Sequence, residues 1–181
     1  MFGEESISYD IGTMNRKVVL IAHDIRSTHN IGSLLRTGEC LGVERVYISG
    51  YSPYPSVPND ERLPHIHQKL TAQIHKTALG AESLVPWERQ PDLPALIRKL
   101  RGNGYTVAAL EQAPGSTDIS SWIPPDKIAI LLGREVEGVE DALLKLCDYA
   151  VEIPLFGQKE SLNVVQAAAI ALYQAQFASV R

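Results

Sequence analysis

Residues Ile153–Tyr173, IPLFGQKESLNVVQAAAIALY, decide how the chain is read. The stretch opens as the end of a strand. It passes through a polar loop holding Gly157, Gln158, Lys159, Glu160, Ser161 and Asn163, and becomes an alanine-rich helix. Polar groups gathered at a strand-to-helix junction are where α/β folds place their ligands. The rest of the chain reads as support for this junction and as a source of partners for it.

Two other polar junctions follow apolar strands. Lys17–His23, KVVLIAH, has the β-branched character of a buried strand. After a polar loop, Asn30 is placed to cap a helix from Ile31 to Leu41, with Gly42 ending it. Ile31, Leu34, Leu35, Gly38 and Leu41 share one face of that helix, and Arg36 points nearly opposite. Arg45–Ile48 is the next strand, so this unit predicts a parallel sheet. Further on, Lys127–Leu132, KIAILL, reads as the central strand and runs into Gly133-Arg134-Glu135-Val136-Glu137-Gly138. Loops that follow the ends of parallel strands share one edge of a sheet and can converge.

Between these landmarks the chain carries the expected supports. Tyr51–Pro64 holds four prolines and is a long loop. His67–Leu79 and Leu93–Leu100 read as helices, the second with basic residues at its end. Leu84–Trp87, Tyr105–Leu110 and Ala150–Ile153 read as strands, and Glu140–Leu146 as a short helix. Residues 1–16 look like a loose arm. The final helix, from Ser161 to Ala178, is apolar around most of its surface, which fits a second buried face and a homodimer.

Composition narrows the class. The chain has 181 residues, 45% hydrophobic and 21% charged, enough for one α/β domain with a sizeable core. No apolar run has the length of a membrane span, and the acidic N-terminus does not resemble a signal peptide. Cys40 and Cys147 make no metal or redox spacing and read as buried small hydrophobes in a reduced, cytoplasmic setting. The formal charge of −4 argues against a protein that grips nucleic acid through overall positive charge. It leaves local basic patches open. No dinucleotide or P-loop pattern is present. Gly133 and Gly138 have P-loop spacing, but Val139-Glu140 replaces its Lys-Ser/Thr. The acidic loop around Glu135 and Glu137 suits a neutral or cationic ligand. His65-x-His67 lacks the further ligands that a metal site needs.

Three blocks resemble, in order, the three motifs of the SpoU (TrmH-like) branch of the SPOUT RNA methyltransferases. They are His29–Gly50, HNIGSLLRTGECLGVERVYISG; Ile130–Val139, ILLGREVEGV; and the opening stretch. Lys76–Glu82, KTALGAE, is also similar to this family. The resemblance implies an α/β fold: a mostly parallel sheet with helices on both faces and a deep C-terminal trefoil knot. Residues 17–181 would then be a single SPOUT methyltransferase domain. It also implies S-adenosylmethionine as cofactor, tRNA or rRNA as substrate, a ribose 2′-oxygen as methyl acceptor, and a homodimer without a metal. Carried over by motif, Asn30, Arg36, Glu135, Ser161 and Asn163 are the expected catalytic set, with Arg36 the family's catalytic arginine. Leu110, Glu111, Leu132, Gly133, Ile153 and Leu162 are the expected cofactor contacts. Val165-Gln166 departs from the usual family pattern at a helical position. Two alternatives remain at this point: a catalytically silent RNA-binding member of the fold, and an unrelated nucleotide-binding α/β protein.

Overall fold

A computed structural model of the chain describes residues 16–134 and 137–178. Seven strands form one sheet: β1 (Lys17–His23), β2 (Arg45–Ser49), β3 (Trp87–Gln90), β4 (Thr106–Leu110), β5 (Thr117–Asp118), β6 (Lys127–Leu132) and β7 (Tyr149–Glu152). Their order is β3-β2-β1-β6-β4-β7-β5, and every pairing is parallel. The expected parallel sheet is therefore present, with KIAILL at its centre. All five helices are α1 (Thr28–Cys40), α2 (Pro64–Ala78), α3 (Leu93–Gly102), α4 (Asp141–Leu144) and α5 (Val164–Phe177) among the described residues.

Alternation along β1 divides the core in two. Val18, Leu20 and Ala22 face a cluster with Leu34 and Leu35 of α1, Ile74 of α2 and Ala168, Ala171 and Leu172 of α5. Val19 and Ile21 face the other side, against Leu93, Leu96, Ile97 and Leu100 of α3. A strand buried on both faces needs apolar residues at every position, which is why KVVLIAH and KIAILL read as continuous runs.

Several sequence expectations need correction. α1 starts at Thr28, and its cap is Ser27, whose Oγ accepts from the Asn30 backbone N–H at 3.2 Å. Asn30 thus lies inside the first turn. The third strand is Trp87–Gln90, three residues later than the apolar stretch Leu84–Trp87 suggested. That stretch instead follows a 3-10 turn over Ala81–Ser83. β5 has no counterpart among the expected strands, because two residues carry no usable periodicity. α5 begins at Val164, and Ser161 precedes its cap. Cys40 is exposed, so it is not a buried hydrophobe; both cysteines are free thiols. Burial pushes the Cys147 thiol up to about 11.

The ends of the described chain are fastened together. Arg16 is 9% exposed, and its guanidinium donates to the carbonyls of Pro124, Ala175 and Ala178. The last residue of the expected arm is thus anchored; the others lie outside the described residues. The proline-rich loop is also pinned. Arg62 lies 3.7 Å from the Tyr54 ring centre and donates to the carbonyls of Tyr54 and Pro55. Hydrogen bonds from Arg62 also hold the Asp60 carboxyl well below the usual carboxylate range.

Candidate active site

The loops after β4, β6 and β7 converge on one cleft at the carboxyl edge of the sheet, of about 220 Å³. Leu110 and Glu111 line it from β4, Leu132 and Gly133 from β6, and Ile153 from β7. Ser161 and Leu162, just before α5, and Val164 and Ala167 in its first turn close it. All six residues expected to contact the cofactor therefore border a single cleft.

The walls are held at close quarters. A Cβ on Gly133 would lie 2.4 Å from the carbonyl of Gly138, so any side chain there would force the two ends of the loop apart. The Arg134 and Gly138 backbones exchange hydrogen bonds at 3.0 and 3.2 Å, which holds these two residues side by side. Gly138 has a left-handed φ of 69°, and a Cβ on it would strike the Glu111 carboxylate at 2.1 Å. Glu111 accepts from the Val139 N–H at 2.7 Å and from the Gln112 N–H at 2.9 Å. This carboxylate ties two cleft loops together.

Two motifs from opposite ends of the chain meet beside the cleft. Asn163 caps α5 by accepting from the Val165 N–H at 2.9 Å, and its Nδ2 donates to Asn30 Oδ1 at 3.4 Å. Ser161 is exposed on the cleft wall, two residues before Asn163. Arg36 is not brought into this group. It is exposed on α1 and does not border the cleft. It lies six positions after Asn30, about 9 Å along a helix axis. Glu135 lies outside the described residues.

Of the other charged lining groups, Glu137 and Glu160 stand in loops that the sequence marked as polar, and Glu152 does not. Arg134, Glu137, Glu152 and Glu160 bring charge to the cleft, acidic groups predominating. Arg134 reaches Glu140 in a short ion pair and Asp24 at 3.5 Å. Arg134 stands inside the quoted GREVEG block, but its partner Asp24 lies 110 residues away. No cluster of three or more candidate metal ligands occurs among the described residues.

A parallel α/β sheet with a glycine-walled cleft after three of its strands defines a ligand-binding α/β domain. A profile of the SpoU rRNA Methylase family matches residues 17–173, and the chain belongs to that family. It is 32% identical over 156 residues to a Staphylococcus aureus protein assigned to the TrmH family of tRNA/rRNA methyltransferases. That alignment covers 86% of this chain and 57% of the relative. The chain thus spans little more than half the length of the curated relatives it matches.

Among solved structures, the fold is similar to an AdoMet-bound rRNA methyltransferase from Sinorhizobium meliloti. The TM-score is 0.75 at 22% identity, over 91% of this chain and 57% of that one. It is also similar to a protein whose structure addresses 2-OH methylation of C/U34 on tRNA. There the TM-score is 0.71 at 20% identity, over 89% of this chain and 95% of the other.

Proposed function

We propose that residues 17–181 act as one methyltransferase domain that uses S-adenosylmethionine to methylate a ribose 2′-oxygen of tRNA or rRNA. The observation that carries this reading is the meeting of Asn30 with Asn163 beside a cleft bordered by all six expected cofactor contacts. Family membership and the AdoMet-bound neighbour support the cofactor, and the tRNA 2-OH neighbour supports the acceptor.

The cleft suits such a cofactor. Leu110, Leu132, Ile153 and Leu162 offer apolar cover for an adenine. The bare backbone at Gly133 permits close approach, as a ribose or base edge needs. Glu137 and Glu160 supply negative charge for a cationic ligand. The cofactor supplies an already activated methyl on a sulfonium, so the protein must position, exclude water and manage one proton. Ser161 and Asn163 are placed to orient the acceptor ribose, with Asn30 holding the Asn163 amide. Arg36 serves the acceptor by gripping its phosphate or stabilising a developing alkoxide. A guanidinium holds its proton too tightly to be a free base. By its motif match alone, Glu135 serves the RNA in this reading.

The same proposal includes a dimer and a knot. Arg36 stands outside the cleft of its own chain, which favours a site completed by a second copy. The outer face of α5 supports this, with Ile170, Tyr173 and Phe177 all exposed. The knot is supported by the strand order. β6 pairs between β1 and β4, β7 between β4 and β5, and α5 then returns across β1 to α1. A reduced cytoplasmic setting goes with the two free thiols.

Incubation with labelled S-adenosylmethionine and fractionated tRNA and rRNA, followed by nucleoside mass spectrometry, tests the reading. A 2′-O-methylnucleoside is expected. A methylated base would overturn the acceptor assignment. Cofactor binding in calorimetry without transfer to any RNA would favour the silent RNA-binding alternative. Full transfer by Arg36→Ala would remove Arg36 from the reaction.

A further inference from the structure

The carboxyl edge of the sheet continues past the cleft onto a second surface, built by the loops after β1 and β2. Its base is Asp24, 8% exposed and in a left-handed backbone conformation, φ 56°. Asp24 Oδ1 accepts from the Tyr51 N–H at 2.9 Å. Its Oδ2 lies 3.5 Å from Arg134, which borders the cleft, and 3.4 Å from His23 Nε2. Gly50 is also left-handed, φ 62°, and a Cβ there would fall 1.8 Å from Asp24 Oδ1. Buried Ser52 pins the loops a second time, accepting from the Ile25 N–H at 2.9 Å and donating to the Ala22 carbonyl at 3.2 Å.

What this rigid base holds up is a half-exposed aromatic ring. Tyr51 is 50% exposed, and the Arg26 guanidinium lies over it, 5.8 Å from the ring centre. Arg26 also lies 3.4 Å from the Tyr51 hydroxyl and 3.9 Å from Glu137, which borders the cleft. The core gains little from a ring left half in water. Backbone strain and a buried acid are spent on presenting it, an arrangement that strained positions show at ligand sites.

We propose that Tyr51 and Arg26 form a docking platform for one nucleobase of single-stranded RNA, next to the nucleotide whose ribose enters the cleft. The Tyr51 ring supplies a stacking face, and the Arg26 guanidinium contacts the flanking phosphate. Unpaired bases are recognised in this way, on aromatic faces and arginine planes. Such a local platform also suits a chain of net charge −4, which has no overall positive field to hold RNA. The placement beside the methyl acceptor rests on the methyltransferase reading; the stacking itself does not.

Two measurements separate the two ideas. The first is quenching of 2-aminopurine in a short single-stranded RNA, which needs no methyl transfer. The wild type and Tyr51→Phe quench; Tyr51→Ala and Tyr51→Leu do not. The second is steady-state transfer to the fractionated RNA. Tyr51→Ala and Tyr51→Leu raise KM for RNA about tenfold, the scale of one lost base–aromatic stack. Their kcat and their calorimetric affinity for S-adenosylmethionine stay within about twofold, the mark of a contact outside the chemistry. Quenching without methyl transfer leaves the platform standing and removes the methyltransferase reading. Absent quenching by the wild type, Leu performing like Phe, or a Tyr51→Ala KM equal to wild type would overturn the platform.

Discussion

Asn163 serves two partners at once: Oδ1 caps α5, and Nδ2 reaches Asn30 of α1. A few groups of this kind set the site. His23 is another, since its Nδ1 meets Ser49 Oγ at 3.1 Å and its Nε2 faces Asp24. Burial pushes the His23 imidazole below its ordinary 6.5; Asp24 and Glu140 pull it back up, and Arg134 adds to the lowering. The unfolded chain therefore binds the His23 proton more readily than the native one. This stabilisation is complete above pH 6.5 and is lost as the pH falls through the native value. Urea unfolding of the wild type and of His23→Gln at pH 7.5 and 5.5 checks it. The loss of stability at the lower pH should be smaller in the variant, and an equal loss would remove His23 as its source. The residue types at Asn30, Ser161 and Asn163 were legible from motif spacing. Their partners were not, because Asn30–Asn163 and Arg134–Asp24 bridge more than a hundred positions through the fold alone.

At the scale of elements, α1 and α2 pack so closely that one glycine controls their distance. A Cβ on Gly32 would lie 2.2 Å from both the Ile74 carbonyl and Thr77 Oγ1. Thr77 Oγ1 also donates to the His29 carbonyl at 2.8 Å, locking the α2 end against the turn that carries Asn30. Gly32→Ala must push the helices apart, at a cost of about 1–3 kcal/mol as for other overpacked interiors. A lower urea midpoint with an unchanged slope is the expected result; a wild-type midpoint would refute the steric argument. Strands buried on both faces were legible because every position is apolar, as in β1 and β6. β3 was misplaced for the opposite reason. Its residues, WERQ, are half-buried on a sheet edge, and the more apolar stretch before it drew the assignment away. α1 was begun late because Ser27 and Asn30 are both good capping residues, and only the backbone conformation at Ser27 decides between them.

For the molecule as a whole, α5 has two jobs on two faces. Ala168, Ala171, Leu172 and Ala175 are fully buried against the sheet, while Ile170, Tyr173 and Phe177 point outward. The Tyr173 and Phe177 rings touch, with centres 4.6 Å apart, forming an apolar ridge beside Ile119 and Ala169. Under the dimer proposal, this ridge is the contact surface. Tyr173→Asp with Phe177→Asp should give a monomer by light scattering, with helical circular dichroism unchanged because neither ring is in the core. A monomeric wild type would refute the dimer. The apolar surplus of α5 was visible in the sequence as a helix without a polar face. The strand order was not, because β6 and β7 insert between strands made earlier, and no local pattern records where a later strand will pair.

The Arg16 latch on α5 has a consequence in time. Synthesis is vectorial, at about 5–20 residues per second, and domains fold as their chain emerges. The wall made by Ser161, Leu162, Val164 and Ala167 leaves the ribosome after every strand of the sheet, and Arg16 must wait for the carbonyls of Ala175 and Ala178. A nascent chain can thus pair its strands long before it owns a complete cleft. Ligand capture must then wait for the sheet, and a ribosome stalled before Val164 should hold a chain that is folded in part but blind to its cofactor.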